Sequence, residues 1–202
     1  VYVSGYEFFP ALFATISKAK HHIHIVSYII DDDPLGRLLR DTLIDKARKG
    51  IEIRFLFDDV GSWKTKNKFF EQMREEGIEV HPFMPVRFPA FTGKVNYRNH
   101  RKIIVIDGKV GFIGGMNFAQ RYIKGNKNVK WRDTHIKING PAVYGLQRAF
   151  LIDWFYADRT LITDRKYYPE IKITQPNNCL IQIVTSSPTS VWEELEQGYI
   201  KI

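Results

Sequence analysis

Hydrophobic residues follow two different spacings along the first 82 residues of the 202-residue chain. Apolar side chains recur every three to four positions, as in helices that bury one face, over residues 6–20, 34–49 and 64–76. Runs of β-branched and aromatic residues, typical of strands, occupy residues 22–30, 51–57 and 78–82. Helices that alternate with strands in this way predict an α/β fold with parallel strand pairs.

Three consecutive carboxylates, Asp31, Asp32 and Asp33, separate the first predicted strand from Pro34. A metal site is one interpretation of such a cluster. The favoured interpretation is a solvated helix start. In it Asp33 is the N-cap, Pro34 occupies the first helical position and the negative charges complement the helix dipole.

A hairpin is predicted around the Asp107-Gly108 pair, which interrupts two runs of β-branched and aromatic residues. Asp-Gly is a favoured two-residue turn between antiparallel strands. With this turn, residue 102 faces residue 113 and residue 100 faces residue 115. Strand alternation directs Asp107 away from residues 100 and 102, so its first interpretation is that of a turn residue.

Several reactive groups surround this hairpin. Strand alternation places His100 and Lys102 on one face, roughly 6 to 7 Å apart at about 3.3 Å per residue, and the returning strand brings Gly114 and Gly115 beside His100. Asn117 is predicted to open a helix, whose backbone N–H groups, with those of the glycines, would cradle an anion. A nucleophile, a cation and an anion cradle suit phosphoryl transfer through a covalent intermediate.

Downstream of the hairpin, the periodicity predicts a strand, a long helix, an irregular linker, a second strand and a final helix, at residues 134–138, 141–157, 159–178, 180–184 and 190–202. We therefore predict that residues 1–173 form one α/β domain, with a mixed, largely parallel sheet flanked by helices. Residues 174–202 are predicted to be a linker and the start of a second, truncated unit.

The composition narrows the class of protein. Thirty Lys and Arg against 22 Asp and Glu give a formal net charge of +8, which indicates an anionic partner without separating nucleic acid from an acidic membrane surface. Cys179 is the single cysteine, so an intrachain disulfide and a cysteine metal cluster are excluded. No run approaches the roughly 20 apolar residues of a membrane span, and no signal peptide is present. Because the chain begins at Val1, we expect an excised piece of a longer protein.

Two further segments leave alternatives open. His21, His22 and His24 lie on one predicted strand and could be metal ligands, but no acidic partner has ligand spacing, so partly buried structural histidines are favoured. Residues 82–99 mix aromatic residues with Arg and Lys. This mixture suits a substrate entrance or a contact with lipid headgroups, and equally an ordered loop that closes the core.

The spacing His-x-Lys-x4-Asp, followed by x6-Gly-Gly-x-Asn, resembles the signature of the phospholipase D superfamily. Many members have Ser where this chain has Gly115. Flanking stretches are similar to the first half of bacterial cardiolipin synthases: Asn-Tyr-Arg-Asn-His-Arg-Lys from Asn96, Trp-Arg-Asp-Thr-His from Trp131 and Gly-Pro-Ala-Val from Gly140. The resemblance covers nearly the whole chain and implies that residues 1–173 are a phospholipase D-like catalytic half.

The resemblance implies roles for the residues around the hairpin. His100 would be the nucleophile, and Lys102 and Asn117 would stabilise the phosphoryl oxygens. Gly114 and Gly115 would line the same phosphate site.

Two carboxylates complete the implied catalytic set. Asp107 enters it only through the superfamily signature, against its interpretation as a turn residue. Asp133, at the head of the strand predicted at residues 134–138, would hydrogen-bond His100 and fix the tautomer of its ring. A solvated surface carboxylate is the alternative for Asp133.

For function, the resemblance implies transfer of a phosphatidyl group from one phosphatidylglycerol, through a phosphohistidine, to the glycerol hydroxyl of another, without a metal or other cofactor. Members of the superfamily pair two such motifs, one His attacking phosphorus and the other protonating the leaving group. This chain has one motif, so its partner would be a second half of the same chain or a homodimer mate, and the isolated chain is expected to be inactive.

The same resemblance implies partners and a location. Phosphatidylglycerol and an anionic membrane surface are expected as partners, rather than nucleic acid. The full-length protein is expected at the bacterial cell membrane with its catalytic part in solvent at the membrane surface, and the 202-residue piece is expected to be soluble.

Two alternative functions stay open. One is a nuclease of the same superfamily that acts as a homodimer, which the net charge permits. The other is a non-catalytic domain that binds anionic lipid with a vestigial site, against which the intact His100, Lys102 and Asn117 argue. Which half supplies the nucleophilic histidine is also open.

Overall fold

The computed structural model describes residues 1–86, 98–125, 130–172 and 179–186, together with positions 195, 197 and 200. Three predicted features therefore lie largely or partly outside the described residues. They are the aromatic and basic segment at 82–99, the end of the linker at 173–178 and the final helix at 190–202.

Six strands form a single sheet in the spatial order β3-β2-β1-β4-β5-β6. The strands are β1 (His22–Ser27), β2 (Glu52–Asp58), β3 (Glu79–Phe83), β4 (Ile103–Ile106), β5 (Val110–Gly114) and β6 (His135–Asn139). The pairs β1–β2 and β2–β3 are parallel, whereas β1–β4, β4–β5 and β5–β6 are antiparallel. Four strands, β1, β2, β3 and β5, thus run in one direction, and the predicted mixed α/β sheet is confirmed.

Helices cover both faces of this sheet. They are α1 (Gly5–Ile16), α2 (Pro34–Arg48), α3 (Asn67–Glu75), α4 (Arg121–Lys124) and α5 (Val143–Asp158). The larger apolar core joins one face of the sheet to α1, α2 and α3, and the smaller one joins the opposite face to α5. Because β1 is central and covered on both sides, all six of its residues are buried.

The start of α2 follows the predicted chemistry. The carboxylate of Asp33 accepts hydrogen bonds from the N–H groups of Leu35 and Gly36, both at 3.0 Å, and Pro34 occupies the first turn. Asp33 is therefore an N-cap.

The histidines of β1 belong to the sheet–α5 layer. The amide of Gln147 bridges His22 Nε2 (3.2 Å) and His24 Nδ1 (2.8 Å), and all three side chains are buried. These contacts match the structural interpretation of the histidines, although His22 and His24 are fully rather than partly buried.

The hairpin between β4 and β5 has the predicted turn but a different register. Asp107 and Gly108 have positive φ angles of 54° and 64°, as a type I′ turn requires, and Lys109 N–H donates to the Ile106 carbonyl at 3.1 Å. Ile106 pairs with Val110 rather than with Lys109. Lys109 is thus an extra residue, and the predicted register is wrong by one position.

The C-terminal part also differs from the prediction. No strand forms at 180–184, a stretch that the structure describes in full. Ile183 instead lies against Gly145 of α5 and joins the smaller core. Within the predicted linker, Arg165–Tyr167 forms a 3-10 helix in which Tyr167 is buried, so that part of the linker packs on the domain. The division at residue 173 stays a prediction.

Candidate active site

The predicted nucleophile and cation lie together at one edge of the sheet. We call it the C-terminal edge, because β1, β2 and β3 end there and β4 begins there. Tyr28 follows β1 directly, and its ring stacks on the imidazole of His100 with centroids 4.0 Å apart and planes inclined by 18°. Lys102 Nζ lies 5.2 Å from the centroid of the Tyr28 ring and donates to the His100 carbonyl at 2.6 Å. Tyr28, His100 and Lys102 therefore form one cluster.

The electrostatics of this cluster favour a neutral imidazole. Partial burial is the main cause that lowers the pKa of His100, and the positive charge of Lys102 lowers it further, whereas the charge of Asp58 opposes the shift. Burial also lowers the pKa of Lys102, against the charges of Asp133 and Asp58. A histidine with a lowered pKa is unprotonated at neutral pH and has a ring nitrogen lone pair available for attack.

Asp58, the last residue of β2, fixes the chain just before His100. Its buried carboxylate accepts hydrogen bonds from the N–H groups of Val60 (3.0 Å), Gly61 (2.9 Å) and Asn99 (3.0 Å). Its Oδ1 also lies 3.7 Å from Nη1 of Arg98. The sequence pattern identifies Asp58 only as the end of a strand and does not indicate its contact with the chain before His100.

Both neighbours of His100 are anchored to α5 through Asp153. Asn99 Nδ2 donates to Asp153 Oδ2 at 2.8 Å, and Arg101 forms an ion pair with the same carboxylate. Arg101 N–H also donates to Asn99 Oδ1 at 3.0 Å. Burial raises the pKa of Asp153, and the charge of Arg101 opposes that shift. With residues 99 and 101 held inward, the alternation of the extended chain turns His100 towards the site.

Gly114 and Gly115 do not form the predicted anion cradle. The N–H of Gly114 donates to the Lys102 carbonyl at 3.4 Å and that of Gly115 to the Thr134 carbonyl at 2.9 Å. A Cβ atom at Gly114 would overlap the backbone of Thr134 and His135. The close approach of the chain that enters β6 therefore requires glycine here. The two N–H groups already donate to backbone carbonyls and are not free for an anion.

Asn117 is buried and supports the loop of Tyr28. Its Oδ1 accepts the N–H of Ile29 at 3.0 Å, and its Nδ2 donates to the hydroxyl of Tyr122 at 2.6 Å. The helix predicted to begin after Asn117 is the single turn α4, and the N–H of Gln120 is bound by the carboxylate of Asp33. At least this N–H group of the helix start is therefore already bound, and the role of Asn117 at a phosphate site stays a prediction.

Of the two predicted carboxylates, Asp133 lies near Lys102. Asp133 lies against Gly115, accepts the N–H of Thr134 at 2.7 Å and acts electrostatically on Lys102. In the part of the chain that the structure describes, no hydrogen bond joins Asp133 to His100, so that predicted pair is not formed here.

Asp107 lies at the opposite, N-terminal edge of the sheet. Its carboxylate accepts the N–H groups of Lys20 (2.9 Å), His21 (2.8 Å) and His22 (3.0 Å). The seven-residue separation from His100 corresponds to roughly 20 Å along an extended chain. Asp107 is therefore the turn residue of the hairpin and lies away from His100, and its inclusion among the catalytic residues, which rests on the superfamily signature, stays a prediction.

His135 is a second histidine near Lys102. It is fully buried, and its ring stacks on Phe8 with centroids 3.9 Å apart. Among the described residues, neither of its ring nitrogens has a hydrogen-bond partner. Burial, with the charge of Lys102 as a smaller cause, lowers its pKa to about 3. In the sequence, His135 is notable only as the last residue of the flanking motif that begins at Trp131.

Comparison with known proteins decides the family. Residues 12–154 match the family described as "Cardiolipin synthase, PLD-like domain", in which PLD stands for phospholipase D. The chain belongs to this family. The match includes the Tyr28–His100–Lys102 cluster and most of α5, whose Asp153 anchors the neighbours of His100.

Two relatives and one solved structure are similar to the PLD-like chain. It is 44% identical over 200 residues to a cardiolipin synthase of Geobacillus kaustophilus, and 42% identical over 205 residues to the major cardiolipin synthase ClsA of Bacillus subtilis. These alignments cover 98% and 100% of the chain but 40% and 42% of the relatives. In fold the chain resembles NucT from Helicobacter pylori, with a TM-score of 0.62 and 16% identity over 77% of this chain and 94% of that one.

Within the described ranges, no three His, Cys, Asp or Glu side chains are grouped as ligands for a metal ion. Nor does that part contain a helix with the length and apolar character needed to span a bilayer.

Proposed function

We propose that this PLD-like chain is the N-terminal catalytic half of a bacterial cardiolipin synthase, which makes cardiolipin from two phosphatidylglycerol molecules. Family membership and the two synthases that match its whole length support the assignment. The chain spans about 40% of the length of those relatives, so the activity, substrates and partners of the whole protein belong to the proposal. The observation that carries the chemistry is a histidine with a lowered pKa beside Lys102.

The first step is attack by a ring nitrogen of His100 on the phosphorus of one phosphatidylglycerol. A nitrogen–phosphorus bond forms, the bond from phosphorus to the glycerol headgroup oxygen breaks, and that oxygen takes a proton from a general acid. Lys102 is the cation of the cluster and stabilises the negative charge that develops on the phosphoryl oxygens. The products of this step are free glycerol and a phosphatidyl group on His100.

The second step reverses the bond changes with a new acceptor. A glycerol hydroxyl of a second phosphatidylglycerol attacks phosphorus and gives its proton to the group that acted as the acid. The nitrogen–phosphorus bond breaks, which restores neutral His100 and releases cardiolipin. Asp58 and Asp153 serve this chemistry indirectly, because they hold the residues on either side of His100.

The general acid is supplied by a second catalytic half, either later in the same protein or in a homodimer mate. Without it, the leaving oxygen departs unprotonated, and the loss of such a group costs about a hundredfold to ten-thousandfold. The protein works at the bacterial cell membrane, where its substrate forms part of an anionic surface. The net charge of +8 agrees with that surface.

The test uses the full-length protein that contains this chain, with phosphatidylglycerol in detergent micelles, and measures cardiolipin and glycerol. His100→Ala is expected to lower turnover by roughly a thousandfold or more, as for a removed nucleophile. Lys102→Met is also expected to lower turnover, because it removes the cation that stabilises the phosphoryl oxygens. Lys109→Met, at the opposite edge of the sheet, is its control. Cardiolipin synthesis by His100→Ala within about tenfold of the parent would remove His100 from the mechanism. Cleavage of plasmid DNA by the parent, without lipid transfer, would favour the nuclease alternative.

A further inference from the structure

We propose that the loop between β2 and α3, together with the first turn of α3, docks on an anionic phospholipid bilayer with Trp63 at the depth of the headgroups. We call this surface the Trp63 surface and define it by Trp63, Lys64, Lys66 and Lys68. The inference rests on the proposed function, and it adds the part of the protein that meets the membrane.

Trp63 is exposed although the loop that carries it is firmly held. Its exposed fraction is 76%, whereas Trp154 is completely buried. Immediately before Trp63, the buried hydroxyl of Ser62 accepts the N–H of Ile30 at 3.1 Å. Two residues after it, the buried hydroxyl of Thr65 donates to the Ile30 carbonyl at 2.7 Å. The outward position of the indole is thus fixed by the structure, and tryptophan is the side chain that membrane interfaces enrich.

Three exposed lysines follow Trp63 along the chain. Lys64, Lys66 and Lys68 are exposed, and within the described residues none of the three forms an ion pair with a carboxylate. The first turn of α3 contains no acidic residue. Cations at a helix N-terminus oppose the helix dipole and cost stability. An anionic ligand at this position offsets that cost.

A groove beside these lysines suits a phosphate headgroup. It has a volume of about 360 Å³ and lies between α2 and α3, lined by Arg37, Arg40, Lys66 and Lys68 with Asp32 as its one carboxylate. Arg37 pairs with Asp32, and Arg40 pairs with Asp41 and lies over the Phe69 ring at 5.1 Å. The positive charges of the groove without a carboxylate partner among the described residues are therefore those of Lys66 and Lys68.

The Trp63 surface lies on the same edge of the sheet as the proposed nucleophile. The hydroxyl of Ser62 donates to the Tyr28 carbonyl at 3.3 Å, and the Tyr28 ring stacks on His100. A second tryptophan, Trp131, is 38% exposed on another loop of this edge, between exposed Lys130 and Arg132. Docking through this edge places His100 at the membrane surface, where the headgroup phosphates of phosphatidylglycerol lie.

A bilayer fits these features better than a nucleic acid does. Single-stranded nucleic acid stacks on successive aromatic side chains along a basic groove, whereas Trp63 is a single exposed ring that Lys64, Lys66 and Lys68 follow along the chain. Indole rings at headgroup depth and lysines within reach of anionic lipid are the two contributions that hold peripheral proteins on such membranes.

The test compares two triple variants of the chain by co-sedimentation with vesicles of mixed phosphatidylglycerol and phosphatidylcholine. One replaces the lysines of the Trp63 surface, Lys64, Lys66 and Lys68, with Gln. The matched control removes the same charge from the opposite edge of the sheet, at Lys18, Lys20 and Lys109. A lysine near an anionic membrane contributes about 1 kcal/mol, or roughly fivefold in partitioning. The first variant is therefore expected to bind about a hundredfold more weakly, and the control less than about threefold more weakly.

Fluorescence locates the indole. The difference spectrum between the parent and Trp63→Phe isolates Trp63, and it is expected to shift to shorter wavelength and to resist iodide quenching when vesicles are added. Inorganic phosphate, at the ionic strength of a chloride control, is expected not to displace the chain, because the bilayer and not free phosphate is the ligand. Equal losses in the two triple variants, or an unchanged Trp63 spectrum on bound vesicles, would overturn the proposal, as would preferential binding to DNA.

The vesicle-binding test and the test of the proposed function can fail independently of each other. Vesicle binding needs no turnover, so His100→Ala is expected to bind vesicles like the parent. Retained docking without cardiolipin synthesis in micelles would contradict the proposed reaction alone. Synthesis in micelles without docking through the Trp63 surface would contradict this inference alone.

Discussion

The ring of Tyr28 covers one face of the His100 imidazole, with the two planes inclined by 18°. Because burial is the main cause that lowers the pKa of His100, removal of this cover admits water. Tyr28→Ala is therefore expected to raise the pKa of His100 towards its ordinary value of 6.5, whereas Tyr28→Phe keeps the lowered pKa. NMR titration of the His100 ring protons measures both. Tyr6→Ala, which removes an exposed ring, is the control, and an unchanged pKa in Tyr28→Ala would show that the stack does not exclude water.

The two adjacent glycines are expected to respond differently to substitution. A Cβ atom at Gly114 meets the backbone of Thr134 and His135, which cannot move aside, so Gly114→Ala is expected to lower the free energy of unfolding by about 3 kcal/mol. A side chain at Gly115 meets only the carboxylate of Asp133, which can rotate away. Gly115→Ser is expected to cost less than about 1 kcal/mol, in keeping with the Ser that many superfamily members have there. Urea unfolding gives both values, and equal losses would contradict the distinction.

Asp107 is expected to act on stability and not on the chemistry of His100. Its carboxylate binds three backbone N–H groups at the start of β1. Asp107→Asn keeps one acceptor oxygen, so we expect a loss of about 1 to 2 kcal/mol, and Asp107→Ala is expected to lose more. Thermal unfolding measures the loss, with Lys109→Gln in the same turn as control. If Asp107→Asn shifted the pKa of His100 and left the melting temperature unchanged, the carboxylate would act on His100 and not on the turn.

Mild acid is expected to destabilise the fold through its buried histidines. Burial, partly offset by the hydrogen bond to Gln147, lowers the pKa of His22 from 6.5 to about 4. Between these values the unfolded chain takes up a proton that the folded chain lacks, so the free energy of unfolding falls as the pH falls. The loss from His22 alone is of the order of 3 kcal/mol when complete, and His24 and His135 act in the same direction.

Urea unfolding at a series of pH values from 7 to 4.5 checks this dependence, since the window lies largely above the ordinary carboxyl pKa values. His22→Met is expected to flatten the dependence. A parent protein whose stability stays constant over that range would show that the β1 histidines become charged without cost.

The sheet was largely predictable because its strands have local signals. The three parallel strands are apolar runs between helical stretches, and Asp33 with Pro34 marks the start of α2. The register of the hairpin was not predictable, because one inserted residue, Lys109, leaves no trace in the periodicity that flanks it. A single such residue changes which side chains of two strands lie opposite each other.

The pairing of His100 with Lys102 was predictable from the sequence. The residues that hold the neighbouring chain in place were not. The spacing of His100 and Lys102 identifies both, since an extended chain places alternate residues on one face. Asp58 and Asp153, which hold Asn99, are 41 and 54 positions away from it in the sequence. Contacts over such distances have no local pattern. The role of Gly114 was missed for the same reason, because the crowding chain belongs to β6.

The central position of β1 has a consequence for the nascent chain. The carboxylate of Asp107, which holds the first residue of β1 and the two residues before it, follows them by 85 to 87 positions. The partner strand β4 also lies far downstream, because Ile23 pairs with Ile106 and Val26 with Ile103. A chain whose synthesis stops before β4 leaves one edge of β1 unpaired, and such an edge pairs readily with other chains. We therefore expect premature termination in this interval to yield aggregates. The residue before His100 acquires its anchor only after α5, which carries Asp153, has been made.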